Sequence, residues 1–295
     1  MVKKVKIVIA SGKGGVGKSM LASSLAMLFA KERKIVAVDC DVDAPNLHLW
    51  LGEREGWDKT EKISTNEKPV INYSKCNGCG ECVKICAFDA LKIENCQLKV
   101  ESFFCEGCAA CEVVCPKKAI KMEVVKNAEI RLKKTKWGFP LVSAQLYPGE
   151  SGSGKIVGRI KREAEDFSSD LMILDAPAGT GCPVIASING TDFAVLITEP
   201  TPSGFADLKR VLIVVSHFKI PYGVVINKWD VNRKISGKIE KWSGEKLLGK
   251  IGYDQRIFQA IAQLRPILTT DLPVKEEVKK IYAQMIEKLR KKAKN

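Results

Sequence analysis

A short apolar run, Val5–Ala10, leads through Ser11 into Gly12-Lys13-Gly14-Gly15-Val16-Gly17-Lys18-Ser19, and an apolar stretch of helical character follows from Lys18 to about Glu32. Strand, G-x4-G-K-S loop and helix in that order leave few folds open. A strand that is apolar throughout belongs in the middle of a parallel sheet, covered on both faces, and open α/β sheets bind ligands at the carboxyl ends of their strands. Loop amides and the helix N-terminus converge there on phosphate oxygens, because unpaired N–H groups and the helix dipole favour anions. Lys18 is expected to contact the β- and γ-phosphates and Ser19 to ligate Mg2+.

Eight of the eleven cysteines fall in two cassettes, Cys76-x2-Cys79-x2-Cys82-x3-Cys86 and Cys105-x2-Cys108-x2-Cys111-x3-Cys115-Pro116. This is the spacing of bacterial two-cluster ferredoxins, in which the fourth cysteine of each run reaches over to the other cube. The expected sets are therefore Cys76, Cys79, Cys82 and Cys115 for one [4Fe–4S] cluster, and Cys86, Cys105, Cys108 and Cys111 for the second. Zinc and disulfides compete with this reading. Structural zinc favours C-x2-C pairs parted by a longer loop, and disulfides suit secreted chains, whereas no secretory signal precedes this one. The cassettes are also the one clear internal repeat, each read as cysteine loop, short helix and strand pair, such as Ala90–Glu94 with Gln97–Glu101. Ala87 stands where a proline would match Pro116. Cys40 reads as a packed small residue, Cys96 as an idle thiol, and Cys182 as a thiol able to meet its counterpart in a symmetric dimer.

The second lysine in the loop, Lys13 of K-G-G-V-G-K-S, resembles the deviant Walker motif of the superfamily that includes MinD, ParA, Mrp and the nitrogenase iron protein. The likeness continues in Val36–Asp41 with Asn46-Leu47 (second strand and switch I), in Leu171–Gly179 (Walker B strand and switch II) and in Val224-Val225-Ile226-Asn227-Lys228 (the base-reading strand end). The resemblance implies that Lys13 reaches across a dimer interface to the partner's nucleotide, that Asp41 positions the attacking water, and that Asp39 and Asp175 hold Mg2+ through its water shell with Ser19. It further implies a nucleotide-binding set of Gly12 to Met20 together with Asn227, which would bond the purine edge, and Lys228. Lys13, Lys18 and Asp41 would be the catalytic residues.

Along the whole chain the pattern is similar to MinD-superfamily ATPases that carry an inserted ferredoxin domain, including Ser153–Val157, Gly181–Ile188, Thr198–Gly204 and Asp254–Pro266. Three departures stand out: Gly252 in place of a proline, a shortened stretch between Asn232 and Gly249, and the lack of the C-terminal C-x2-C of Mrp-type cluster carriers. The expected fold is α/β, a doubly wound and mostly parallel P-loop sheet formed by residues 1–52 and 125–295. An α+β ferredoxin module at 70–124 would be inserted in it, growing out of switch I, with 53–69 as connecting loop. Ala128–Lys136 and Trp137–Tyr147 are expected to pair as a hairpin through Gly138.

The formal charge is +14, with an excess of base concentrated in Lys126–Arg162. A solvated lysine-rich surface accounts for it; a docking face for an acidic protein client or electron-transfer partner is the sharper reading. No helix-turn-helix or aromatic-basic motif points to nucleic acid. Val274, Val278, Ile281, Met285 and Leu289 put an apolar stripe on a terminal helix, too narrow and too poor in aromatics for a good membrane anchor. No apolar run is long enough to span a bilayer, and a cytoplasmic protein is expected. Two functions follow. One is a dimeric Mg2+-dependent ATPase, paired with itself or a related ATPase, that couples ATP turnover to electron transfer or metallocluster assembly in a partner. The other is a positioning ATPase like MinD or ParA, binding membrane or DNA, with a structural or redox-sensing appendage.

Overall fold

The computed structural model describes residues 4–54 and 56–293. The first half of the chain runs β1 (Val5–Ser11), α1 (Lys18–Phe29), β2 (Ile35–Asp39), α2 (Leu47–Trp50), β3 (Lys59–Ile63), β4 (Asn66–Ile71), α3 (Glu81–Ile85), β5 (Leu91–Glu94), β6 (Gln97–Val100), α4 (Ala110–Val114) and β7 (Ile120–Val125). The second half continues with β8 (Ala128–Lys134), β9 (Pro140–Leu146), α5 (Ser153–Glu165), β10 (Leu171–Ala178), α6 (Cys182–Ile188), β11 (Phe193–Thr198) and α7 (Pro202–His217). It ends with β12 (Tyr222–Asn227), α8 (Arg233–Ser243), β13 (Leu247–Ile251), α9 (Arg256–Ala262) and α10 (Val274–Ala293).

Among the described residues the main sheet has the order β13-β12-β11-β1-β10-β2-β9-β8-β3. The strands from β13 to β9 pair in parallel, and β8 and β3 add an antiparallel edge. Alternation along the strands divides the core. Ile7, Ile9, Ala37, Ile173 and Val195 face α1 and α10, while Val8, Ala10, Val38, Leu174 and Leu196 face α5, α6 and α7. Both faces are covered, so the central strands read as unbroken apolar runs. The stripe on α10 belongs to this packing: Val274, Val278, Ile281 and Met285 are fully buried, and the face a membrane helix would offer is already occupied.

The β8–β9 hairpin forms around Gly138 (φ +85) as the sequence suggests. The segment 53–69 does not behave as the expected connecting loop, for it contains β3 and the first residues of β4. The reason lies in β3 itself, whose Lys59–Lys62 are exposed and only Ile63 is buried. Its order comes from backbone pairing with β8 at the sheet edge, where lysines are tolerated, and not from an apolar pattern. Because α2 and β3 intervene, the cysteine-bearing segment does not grow directly out of the loop after β2. It hangs from the β3/β8 edge, whose antiparallel ribbon continues into β4/β7 past a bend at Ser64–Thr65 and Lys126–Asn127.

Beyond that bend, β4 pairs with β7, β5 with β6, and a separate small core forms from Cys82, Leu91, Leu98, Cys111 and Ile120. The repeat is visible in the backbone. Gly78 and Gly107, Gly80 and Ala109, and Asp89 and Lys118 form equivalent pairs 29 residues apart, all with left-handed φ. The turn after the fourth cysteine is thus kept in the first cassette even with Ala87 in place of proline.

Candidate nucleotide and cysteine sites

The loop between β1 and α1 is set by its glycines. A β-carbon on Gly12 would fall on the Asp207 carbonyl of α7, and Gly17 sits at φ +96, where one would lie 2.5 Å from Asn227 Nδ2. Asn227, at the end of β12, donates from Nδ2 to the Val16 carbonyl at 2.9 Å and accepts from the Lys228 amide at 2.9 Å. Its side chain therefore braces the phosphate loop, and one Nδ2 hydrogen and one Oδ1 lone pair stay open.

Asp39 ends β2 and pairs with Asp175, three residues before the end of β10, so the two carboxyls lie on neighbouring strands toward the carboxyl edge of the sheet. Asp39 accepts from the Leu47 amide at 2.9 Å and the Asp41 amide at 3.2 Å. Burial pushes its carboxyl well above the usual range, and the neighbouring Asp175 adds to this. Asp175 is pushed up to about 6 by burial, against the opposing pull of Lys18 and a hydrogen bond from Ser19. Its Oδ1 is buried without a hydrogen-bond partner. An orphaned carboxylate oxygen beside a hydroxyl and a second carboxyl is a donor set that suits Mg2+ and its water shell. Asp41 borders the same cleft, accepts from the Ala44 amide at 3.3 Å, and is raised by burial.

The cleft measures about 280 Å3 and is lined by Gly14, Gly15, Gly17, Lys18, Ser19 and Met20 on the loop side. Asn46, Trp50, Tyr253 and Phe258 border it elsewhere. Of the expected nucleotide set, the Val16 side chain is buried in the core and Gly12 lies against α7, and neither lines the cleft. Lys13 points at Glu199, with Nζ 2.8 Å from Oε1, and Glu199 also holds Lys228 Nζ at 3.3 Å. Lys228 reaches the Gly15 carbonyl as well, at 3.3 Å. Burial pushes the Glu199 carboxyl up, but the two lysines more than offset this and hold it below its ordinary value.

The eight cassette cysteines surround two hollows. Cys76, Cys79, Cys82 and Cys115 line one, with Ile93, Leu98 and Ile120. Cys86, Cys105, Cys108 and Cys111 line the other, with Pro69, Phe88 and Met122. Burial raises the Cys82 thiol and pushes Cys111 up to about 11. At Cys115 burial is outweighed by backbone amides, including that of Ala119 at 3.2 Å from Sγ, and the thiol is held below its usual value. Amides aimed at sulfur favour its anionic form. Among the described residues no three His, Cys, Asp or Glu side chains converge as a single-ion site. Of the remaining cysteines, Cys40 is fully buried, and burial pushes it up to about 12, the mark of an inert thiol. Cys96 and Cys182 are exposed.

Residues 7–267 match the model of the CobQ/CobB/MinD/ParA nucleotide binding domain. The chain belongs to that family. An uncharacterised protein of Methanocaldococcus jannaschii is 39% identical over 96% of this chain and 97% of its own length. An iron–sulfur cluster carrier protein of Pyrococcus horikoshii is 25% identical over 97% of this chain and 87% of its own. Among solved structures, the septum site-determining protein MinD of Pyrococcus horikoshii, complexed with Mg-ADP, matches with a TM-score of 0.61 at 17% identity, covering 98% of both chains. The shared fold is the mostly parallel P-loop α/β sheet. No helix among the described residues is long and apolar enough to cross a membrane.

Within this family frame the structure adds residues that sequence reasoning passed over. Glu199 lies in a segment singled out for its likeness to relatives, yet its charge is the notable feature, since it neutralises two lysines at the phosphate loop. Trp50 was hidden in a helix of only four residues. Nothing local marks it as lining the cleft, because its position there depends on how α2 packs against α1.

Proposed function

We propose that this chain is an ATP-hydrolysing iron–sulfur protein that acts as a nucleotide-gated dimer and couples Mg2+-dependent ATP turnover to electron transfer or metallocluster assembly in a partner. The observation that carries the reading is the pair of hollows, each lined by four thiols in the sets expected from ferredoxin spacing, on the same chain as a phosphate cleft. Two [4Fe–4S] clusters fit this donor set, and when bound they would supply one-electron chemistry. An inserted ferredoxin module, from about residue 66 to 125 by strand pairing, is the corresponding domain reading.

In this reading Lys18 and the loop amides hold the phosphates, and Ser19, Asp39 and Asp175 hold Mg2+. Asp41 orients the attacking water, and Lys13 leaves Glu199 to offset charge on the partner's nucleotide across the dimer. The subunits are two copies of this chain or one copy with a related ATPase. The client is an acidic protein facing the basic stretch 126–162, in the cytoplasm. The carrier name of the Pyrococcus relative supports the metallocluster side of the reading. The positioning alternative would need a membrane or DNA surface, and the apolar stripe on α10, the candidate for the former, is packed in the core.

The test uses anaerobically purified protein reconstituted to about eight irons per chain. ATP turnover is measured with the clusters oxidised and then dithionite-reduced, with EPR spectra taken with and without nucleotide. A redox-dependent rate or a nucleotide-dependent spectrum is expected. Full iron and tight ATP binding with no change in either would overturn the coupling and put the positioning reading ahead. Iron well below eight would remove the two-cluster assignment.

A further inference from the structure

The loop between β9 and α5 is tied at both ends to the two sites. On one side it grips the cysteine-bearing segment. Glu150 Oε1 lies 2.7 Å from Lys68 Nζ, with side chains only 18% and 9% exposed, and Lys68 also donates to the Ser102 carbonyl at 2.7 Å. Ser151 accepts from Asn66 Nδ2 at 2.8 Å, and its hydroxyl points to the Glu106 carbonyl at 3.4 Å. Asn127, wholly buried at the ribbon bend, donates to the Ser151 carbonyl at 2.9 Å and accepts from the Thr65 amide at 2.8 Å. The Phe103 ring rests on Gly149, where a β-carbon would overlap it. Ser102, Phe103 and Glu106 flank Cys105, so the grip falls on the set Cys86, Cys105, Cys108 and Cys111. The residues lining the other hollow lie elsewhere, at 76–82, 93–98 and 115–120.

On the other side the same loop leads into α5, which is locked to α6 at two points. A β-carbon on Gly154 would lie 3.2 Å from Cys182 Cβ and 3.3 Å from its carbonyl, so the first turn of α5 rests directly on the first residue of α6. Lys161, about two turns later on α5, donates to the Ala186, Ser187 and Asn189 carbonyls at the far end of α6, at 2.7, 3.1 and 2.6 Å. Helix α6 follows the β10 segment that carries Asp175 with a linker of three residues, Gly179–Gly181.

We infer that the Glu150–Ser151 loop, moving with α5 and α6, is the positioning element that carries a nucleotide-dependent shift at the Asp175 segment to one cysteine set, Cys86, Cys105, Cys108 and Cys111, ahead of the other. The inference rests on the coupling reading proposed above. It replaces the route expected from the sequence, through the loop after β2, because α2 and β3 separate that loop from the cysteines. Packed helices move as units, and the close approach of Gly154 to Cys182 together with the three bonds of Lys161 leaves little slack between α5 and α6.

The experiment compares full-length, anaerobically reconstituted wild type with Lys68→Met/Glu150→Gln, which removes both charges together and leaves neither unpaired. Amide hydrogen exchange at residues 102–108 and at 76–82 is followed without nucleotide, with Mg-ADP and with a non-hydrolysable ATP analogue. Iron content and nucleotide affinity are measured alongside. Wild type is expected to show a nucleotide-dependent change at 102–108 larger than at 76–82. The double variant should lose that change while keeping iron and nucleotide affinity. Gly154→Ala, which presses on Cys182 at the other end of the link, should damp it too. A purely structural clamp would lower the melting temperature and leave the nucleotide-dependent difference in place. A change that persists in full in the double variant, or that maps to 76–82, would overturn this inference alone. Clusters and nucleotide both bound with no change anywhere would overturn it together with the coupling reading.

Discussion

Replacing Asp175 with asparagine should stabilise the nucleotide-free protein, against the usual effect of altering a buried polar residue. Asp175 is fully buried, and its carboxyl is pushed from 3.8 to about 6. A shift of 6 − 3.8 = 2.2 pH units at 1.36 kcal/mol each makes the ionised side chain cost about 3 kcal/mol in the folded state. The sign follows from proton counting. Between pH 3.8 and 6 the folded state binds more protons than the unfolded one, so wild-type stability falls as pH rises through that window and stays low above it. Integrating the same linkage relation, the penalty is about 3 kcal/mol at pH 8 and about 1.6 kcal/mol at pH 5. The neutral amide escapes it. In Mg2+-free buffer with EDTA, Asp175→Asn should melt roughly 5 °C above wild type at pH 8, and by roughly half that margin at pH 5. Adding Mg-ADP should raise the wild-type melting temperature and leave the variant nearly unmoved, because the cation loses its carboxylate. Thermal melts by circular dichroism on anaerobic samples give all four numbers. A variant that melts at or below wild type at pH 8, or a margin that does not shrink toward pH 5, would refute the account of Asp175 as a destabilising, metal-awaiting charge.

Lys13→Ala should leave nucleotide affinity within about twofold and lower turnover by roughly 10^3-fold, with loss of ATP-dependent dimerisation, since a cross-subunit cation acts on the transferring phosphoryl group. Steady-state kinetics and light scattering check this, and equal turnover in the variant would end the cross-subunit role. Gly17→Ala forces a β-carbon into φ +96 and against Asn227 Nδ2, so it should displace the brace on the Val16 carbonyl. A destabilisation of about 1–3 kcal/mol with loss of nucleotide binding is expected, read by denaturant melts and ligand titration. Cys115→Ser should lower the iron content of the set with Cys76, Cys79 and Cys82 while sparing the other, whereas equal loss from both sets would contradict the crossed assignment.

The parallel sheet was legible from the outset because its central strands are covered on both faces and so must be apolar without interruption, as in Val5–Ala10 and Leu171–Leu174. The phosphate loop was legible because its glycines recur at the spacing a tight loop needs, Gly15 and Gly17 taking left-handed φ. The two groups of four cysteines that line the hollows are the groups that spacing alone suggests. By contrast β3 was invisible, since an edge strand with one buried residue leaves no periodic signal, and with it went the point at which the cysteine-bearing segment leaves the sheet.

What the sequence determined by itself is local: strand and helix periodicity, the glycine-rich loop between β1 and α1, and the repeated spacing of the cysteines. These depend on residues close together in the chain. What tertiary structure decided is which distant groups meet. Glu199 is 186 residues from Lys13, Ser151 is 85 from Asn66, and Glu150 is 82 from Lys68, and no pattern announces such pairs. Lys13 and Glu199 meet because a parallel sheet brings the carboxyl ends of remote strands to one edge, whereas Asn66 and Lys68 meet Ser151 and Glu150 because the β4/β7 ribbon lies against the loop after β9.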